Sequence, residues 1–112
     1  IAGYGAIGWL DNAEADGVGR FPPGWFLTGL VVAPAWRRRG IGAVLTAHRL
    51  DWVRGRADVA YYFANARNGA TIDLHRRLGF EEVTRDFAIP GVAFEGGVGV
   101  LFRARPDARP AY

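Results

Sequence analysis

The chain of 112 residues contains no cysteine, which excludes disulfides, thiolate metal sites and a thiol nucleophile. It also lacks serine and lysine. Serine hydrolases, Schiff-base enzymes and a Walker-type phosphate loop, which needs a lysine at the end of its glycine run, are excluded with them. The two histidines, His48 and His75, stand 27 positions apart with no carboxylates clustered around them, so no dedicated metal site is expected. No apolar run approaches the roughly 20 residues of a membrane helix and no signal-peptide pattern opens the chain. The expectation is a cytoplasmic protein without a membrane partner. Repeats, linkers and low-complexity segments are missing too.

Half of the residues are hydrophobic, enough for one core. Residues 1–105 read as a single domain and 106–112 as a tail. Fourteen arginines against 11 acids give a net charge of +3. Most of these arginines read singly as solvated surface charge, but Arg37, Arg38 and Arg39 stand together where an anion can use them.

That place is the stretch Leu30 to Gly42. The β-branched run ends at Pro34, and a glycine-punctuated loop then opens directly into a helical pattern, giving strand, loop and helix. The first amides of a helix beginning near Gly40 have no intrahelical acceptor and sit at the positive end of its dipole. Gly40 and Gly42 allow a ligand close to the backbone, and the three arginines surround it with charge. The predicted ligand is a polyanion lying along the backbone.

Around this stretch the chain reads, in order, as a glycine-rich strand from Ile1 to Leu10, a polar loop to Gly24, and a central strand Trp25–Val32. In the middle of that strand Gly29 predicts a bulge or a close backbone approach. A helix follows from Gly40 to about Arg54, with Ile41, Val44, Leu45, His48 and Trp52 as its inward stripe. Val59–Ala64 is then a strand parallel to Trp25–Val32. Asn68 caps a helix from Gly69 to about Leu78, stopped by Gly79, with Phe80 packing back on it. Thr71, Leu74, His75 and Leu78 share one face of it. The last two strands are Glu81–Ala88 and Val98–Arg105.

Arg37-x-x-Gly40-x-Gly42, preceded by the Val32-x-Pro34 strand end, resembles the Arg/Gln-x-x-Gly-x-Gly/Ala signature of the GNAT superfamily of N-acetyltransferases. The run from Asn68 to Phe80 resembles that family's second motif, an Asn followed seven residues later by Tyr and then by a Leu-Gly-Phe ending. Both motifs come in the family's order. The resemblance implies an α/β fold with a mixed, mostly antiparallel central sheet, in which one parallel strand pair splays to admit the cofactor. It also implies that the chain starts at the family's third strand, as an N-terminally shortened member.

Acetyl-CoA is the implied co-substrate. By resemblance, the strand end Leu30, Val31 and Val32 aligns the pantetheine arm through its backbone. Arg37, Arg38, Arg39, Gly40, Ile41, Gly42 and Ala43 hold the pyrophosphate, and Asn68 reaches the pantetheine. The implied activity is acetyl transfer to a primary amine by direct attack on the thioester. His75 stands where the family has Tyr, and chemistry makes it the expected proton donor to the departing thiolate. No acid stands on Trp25–Val32 to act as a base and Thr28 is too weak a one, which leaves three alternatives: no base, one reached through water, or Glu95 from the late loop. Two other readings remain: a non-catalytic acyl-CoA-binding or sensing domain, and, less favoured, a nucleic-acid binder, for which an alternating basic and aromatic platform is lacking. The acceptor amine is unidentified. An unpaired edge at Ile1–Leu10 further predicts association, with a homodimer as the simplest form.

Overall fold

The computed structural model describes residues 3–11, 21–86 and 97–106. They form five strands and two α-helices: β1 Gly3–Leu10, β2 Gly24–Val32, α1 Ile41–Arg54, β3 Ala60–Asn65, α2 Gly69–Arg77, β4 Glu81–Thr84 and β5 Gly99–Ala104. A short 3-10 turn, Pro34–Trp36, lies between β2 and α1. The sheet runs in the order β1-β2-β3-β5-β4. Only the β2–β3 pair is parallel; the other three are antiparallel. The predicted α/β class, the mixed sheet and its parallel pair are therefore present, and the last two strands pair as expected, with β4 ending at Thr84.

The core follows from alternation along the strands. On β3, Ala60, Tyr62 and Ala64 are buried beneath the helices with Leu50 and Val53 of α1 and Ile72 of α2, while Phe80 closes the far end. Tyr61 and Phe63 point the other way, toward a smaller cluster of Phe21, Phe26 and Leu101. Both helices thus cover one face. β5, held between β3 and β4, is buried almost throughout.

Two features of the strands prepare the site. The register of β1 against β2 jumps from Tyr4↔Val31 to Ala6↔Thr28, so β2 carries an extra residue. Gly29 sits in that bulge at φ 58°, a left-handed conformation that glycine adopts without steric cost. The predicted bulge is real. The parallel pairing of β2 with β3 covers only Trp25↔Ala60 and Phe26↔Tyr61. Beyond Phe26 the two strands part, and the rest of β2 offers β3 no hydrogen bonds.

The inward face of α1 differs from the expected stripe. Thr46, Arg49, Leu50 and Val53 are the buried residues, whereas Val44, His48 and Trp52 are exposed. Spacing of three, one and three still marks a helical face, but two of its members are polar. Arg49 and Thr46 satisfy each other and nearby carbonyls inside, so hydrophobicity alone misplaces the stripe. Trp52, at the helix end, instead packs edge-on against Trp25, which packs edge-on against Trp9.

At the end of α2, Gly79 at φ 99° takes the left-handed position. The amide of Phe80 bonds back to the His75 carbonyl at 3.0 Å and that of Gly79 to Arg76 at 3.1 Å. This is a Schellman-type stop, and it sets Phe80 against His75, as the sequence predicts. Pro106, assigned above to the tail, is buried, and its carbonyl accepts Arg54 Nε at 2.9 Å. The packed body therefore extends one residue past 105.

Candidate functional site

The bulge, the parting of β2 from β3 and the start of α1 meet at one end of the sheet. From Val32 the chain turns through Pro34–Trp36, passes Arg37 in an extended conformation, and enters α1 after Gly40. Gly40 is the helix N-cap at φ 77°, has no side chain to cap with, and the first turn carries no acid. A Cβ there would meet nothing within 4 Å. The amides of Ile41, Gly42 and Ala43, the first three of the helix, lack intrahelical acceptors by geometry. Arg38 takes a left-handed conformation too, at φ 64°, a strained state for a residue with a Cβ and of a kind that clusters at ligand loops.

The three arginines divide their tasks. Arg37 Nε donates to the Val32 carbonyl at 3.0 Å, so its side chain braces the loop across five residues. Arg39 lies over the Trp36 ring, 5.1 Å from its centroid. Arg38 is exposed and has no such anchor among the described residues. Gly42, by contrast with Gly40, is needed for packing: a Cβ there would come 3.2 Å from Leu74 of α2 and 3.8 Å from Leu30 of β2. A side chain at Gly42 would press on Leu74, which would have to give way by a few tenths of an ångström.

Asn68 is the N-cap of α2, as predicted, but its side chain makes no capping hydrogen bond and is exposed. The turn is held instead by the backbone, Asn68 N–H to the Asn65 carbonyl at 2.9 Å. The Asn68 amide group therefore stays available at the mouth of the gap. Leu30 and Val32 are half-buried and Val31 is exposed.

Beneath the point where the strands part lies a row of buried polar side chains, of which the sequence reading singled out only His75. Arg49, 7% exposed, donates from Nη1 to the carbonyls of Ala6 at 3.1 Å and Thr28 at 3.0 Å, from Nε to Leu45 at 3.3 Å, and from Nη2 to Thr46 Oγ1 at 3.2 Å. Ala6 and Thr28 are the residues paired just beside the bulge. The guanidinium thus takes up carbonyls at the place where the ladder is interrupted. Gly5 makes room for it, since a Cβ there would stand 2.9 Å from the guanidinium carbon. Burial lowers the Arg49 pKa, and the nearby Tyr62 raises it in part. The signal in the sequence was an arginine four residues after Leu45 and four before Val53, on a face otherwise closed to charge.

Tyr62 donates from its hydroxyl to Thr71 Oγ1 at 2.9 Å, and burial raises its pKa. His75 is fully buried and lies flat on Tyr62, ring centroids 3.5 Å apart and planes 3° from parallel. Its Nδ1 is 2.7 Å from the Thr71 carbonyl. A carbonyl only accepts, so Nδ1 carries the proton and the neutral ring leaves Nε2 bare. Nε2 is buried without a partner among the described residues. Desolvation lowers the His75 pKa to about 4, partly offset by the bond to Thr71 and reinforced by Arg49. The ring points inward as expected from its helix face. Held this way it can accept a proton at Nε2 but has none there to give.

Among the described residues no group of three or more His, Asp or Glu is placed to hold a metal, and no helix is long and apolar enough to cross a membrane. Thr28 contributes its carbonyl to Arg49. Glu95 and Ile1 lie outside the described residues.

Comparison with known proteins adds a family and a fold. A sequence model described as the acetyltransferase (GNAT) family matches residues 1–80. Among solved structures, the ribosomal-protein-alanine N-acetyltransferase of Brucella melitensis is 25% identical with a TM-score of 0.68, over 94% of this chain and 62% of that one. The structure of yncA from Salmonella typhimurium with its cofactor acetyl-CoA matches with a TM-score of 0.67 at 19% identity, over 100% of this chain and 62% of that one. The ribosomal-protein-S18-alanine N-acetyltransferase of Escherichia coli gives 0.61 at 16% identity, over 95% of this chain and 96% of that one. The chain spans about three-fifths of the length of the first two structures.

Proposed function

Since this chain belongs to the acetyltransferase (GNAT) family, we propose that it binds acetyl-CoA at the open end of β2 and transfers the acetyl group to a primary amine. The observation that carries this reading is the conjunction at that end: two pairs of parallel contacts and then a gap, bounded by an uncapped helix start at Gly40. In this reading the pyrophosphate lies on the amides of Ile41, Gly42 and Ala43 beside Arg38 and Arg39, while Arg37 shapes the loop. The pantetheine arm enters the gap along Leu30, Val31 and Val32, where the ladder edge is free toward β3, and Asn68 meets it from α2. An amine attacking the thioester carbonyl forms a tetrahedral oxyanion, which a backbone N–H of the β2 edge stabilises. The collapse of that intermediate breaks the C–S bond and releases CoA thiolate, which takes up a proton, while the attacking nitrogen gives one up to water as it becomes the amide.

His75 is assigned that proton, under a condition set by its surroundings. Its Nδ1–H is committed to the Thr71 carbonyl, so the ring must be protonated at Nε2 before it can donate. A thiolate beside the ring favours the charged form and opposes the desolvation that holds its pKa near 4. The burial of His75 equally supports the second reading, an acyl-CoA-binding domain without transfer, in which the ring stays neutral and packs. The proposed domain is residues 1–105 with Pro106 packed onto it, the proposed setting is cytoplasmic, and β1 as a sheet edge offers a pairing surface for a homodimer.

Calorimetric titration with acetyl-CoA tests the site. Gly40→Asp places a carboxylate beside the pyrophosphate and should weaken binding at least tenfold, about 1.4 kcal/mol. Gly40→Ala isolates the strain of a left-handed N-cap from the charge. Unchanged affinity in folded Gly40→Asp overturns the site. A panel of amines then separates the two readings: transfer to any of them, with His75→Phe lowering kcat by roughly ten- to a thousandfold at constant acetyl-CoA KM, supports the transferase. Tight acetyl-CoA binding without transfer supports the silent domain.

A further inference from the structure

We propose that the cleft between the C-terminal ends of α1 and α2 is a second binding site, shaped for a small organic oxyanion with an apolar body. The cleft encloses about 590 Å³ and is lined by side chains of both helix ends, the start of β4 and the end of β5. Such a volume falls within the range of small-molecule pockets. It is separate from the acetyl-CoA site, because α1 has 14 residues and its two ends stand about 20 Å apart.

The lining has two parts. Leu50, Leu78, Ala104 and Pro106 supply an apolar floor, of which Leu50 and Ala104 are 8% and 4% exposed. Five arginines, Arg54, Arg76, Arg77, Arg103 and Arg105, contribute to the same lining against one carboxylate, Glu81. Arg54 is fixed by Asp51 and the Pro106 carbonyl. Arg76 is balanced by Glu82 at 3.6 Å and leans over Phe102. Arg77, Arg103 and Arg105 have no ion pair among the described residues, and Arg77 and Arg105 are exposed.

Helix C-termini carry partial negative charge, roughly half an elementary charge each, so cations in their last turns are ordinary. Against these five arginines stand Glu81, Asp51, Glu82 and about one negative charge from the two helix ends together, which leaves a surplus of about one positive charge facing a concavity with an apolar floor. An oxyanion satisfies both parts. Planar guanidinium forks bind carboxylate or phosphate oxygens in pairs, while a ring or short chain covers Leu50 and Leu78. A hydrated inorganic anion would leave that floor wet, which is why the ligand is given an organic body.

The test is an amide NMR titration of the whole chain with phenyl phosphate, phenylacetate and benzyl alcohol as probes. Saturable shifts confined to residues 76–81 and 103–106 are expected with one or both anions and not with the neutral alcohol. A response to the phosphate alone, to the carboxylate alone, or to both identifies which oxyanion the rim prefers. Replacing Arg77→Glu together with Arg105→Glu should weaken anion binding at least tenfold, and Glu81→Gln should tighten it. Both positions are exposed, so the fold is preserved, and acetyl-CoA shifts at 40–44 report on the other end independently. No saturation by either anion, equal binding of benzyl alcohol, or unchanged affinity in the double variant overturns the proposal.

Discussion

The two ends of β2 carry opposite designs on one strand. At Trp25–Phe26 the strand is paired on both sides, Trp25 is clasped edge-on between Trp9 and Trp52, and Phe26 is fully buried against Tyr61. At Thr28–Val32 it is bulged at Gly29, released from β3, and exposed at Val31. The closed end uses apolar area and a complete ladder. The open end leaves backbone groups unpaired, which is costly in a core and useful only where something else will pair with them. Arg49 is the join between the two, since its guanidinium reaches from α1 to the carbonyls of Ala6 and Thr28 at the interruption.

The strongest way to break this contrast is to attack the closed end. Phe26→Ala removes a ring with no exposure and should cost about 3–5 kcal/mol in urea unfolding, more than any single change at the open end. A loss under 1 kcal/mol would mean that the closed end is not the anchor.

His75 sharpens the contrast through pH. Its folded pKa of about 4 lies below the unfolded value near 6.5, so the unfolded chain binds more protons between these values and stability rises with pH across the window. The contribution is complete above pH 6.5 and is lost as pH falls toward 4, a swing of roughly 3 kcal/mol. His75→Phe should flatten that segment of the stability profile. A wild-type profile already flat from pH 6.5 to 4 would place the ring in water.

Arg49→Met gives the smallest effect on stability and the most selective one on function. It leaves the Ala6 and Thr28 carbonyls without their donor and should destabilise by about 1–3 kcal/mol. Acetyl-CoA affinity should fall as well, because the bulge loses its brace, whereas Phe26→Ala, while folded, should leave that affinity unaltered. Equal affinity in both variants would detach Arg49 from the open end.

Much of the local backbone of the candidate site was legible in the chain because it depends on neighbouring residues. Gly40, Gly79 and Gly29 mark left-handed positions that few other residues adopt, and the strand, loop and helix around Pro34 follow from residues adjacent in sequence. The α1 stripe was not legible. Val44 and Trp52 outweigh Thr46 and Arg49 in any hydrophobic count, yet the latter pair goes inside because its partners are there.

By itself the sequence determined the order of elements, the bulge, the uncapped start of α1 and the Schellman stop after α2, since each depends on φ preferences and hydrogen bonds within a few residues. Only the tertiary structure decided where β2 leaves β3, that Arg49 finds Ala6 43 positions away, that Gly42 serves Leu74, and that His75 lies neutral on Tyr62 with Nε2 bare. Those outcomes depend on which surfaces meet across long stretches of chain, and burial then sets the charge and hydrogen bonding of whatever is caught between them.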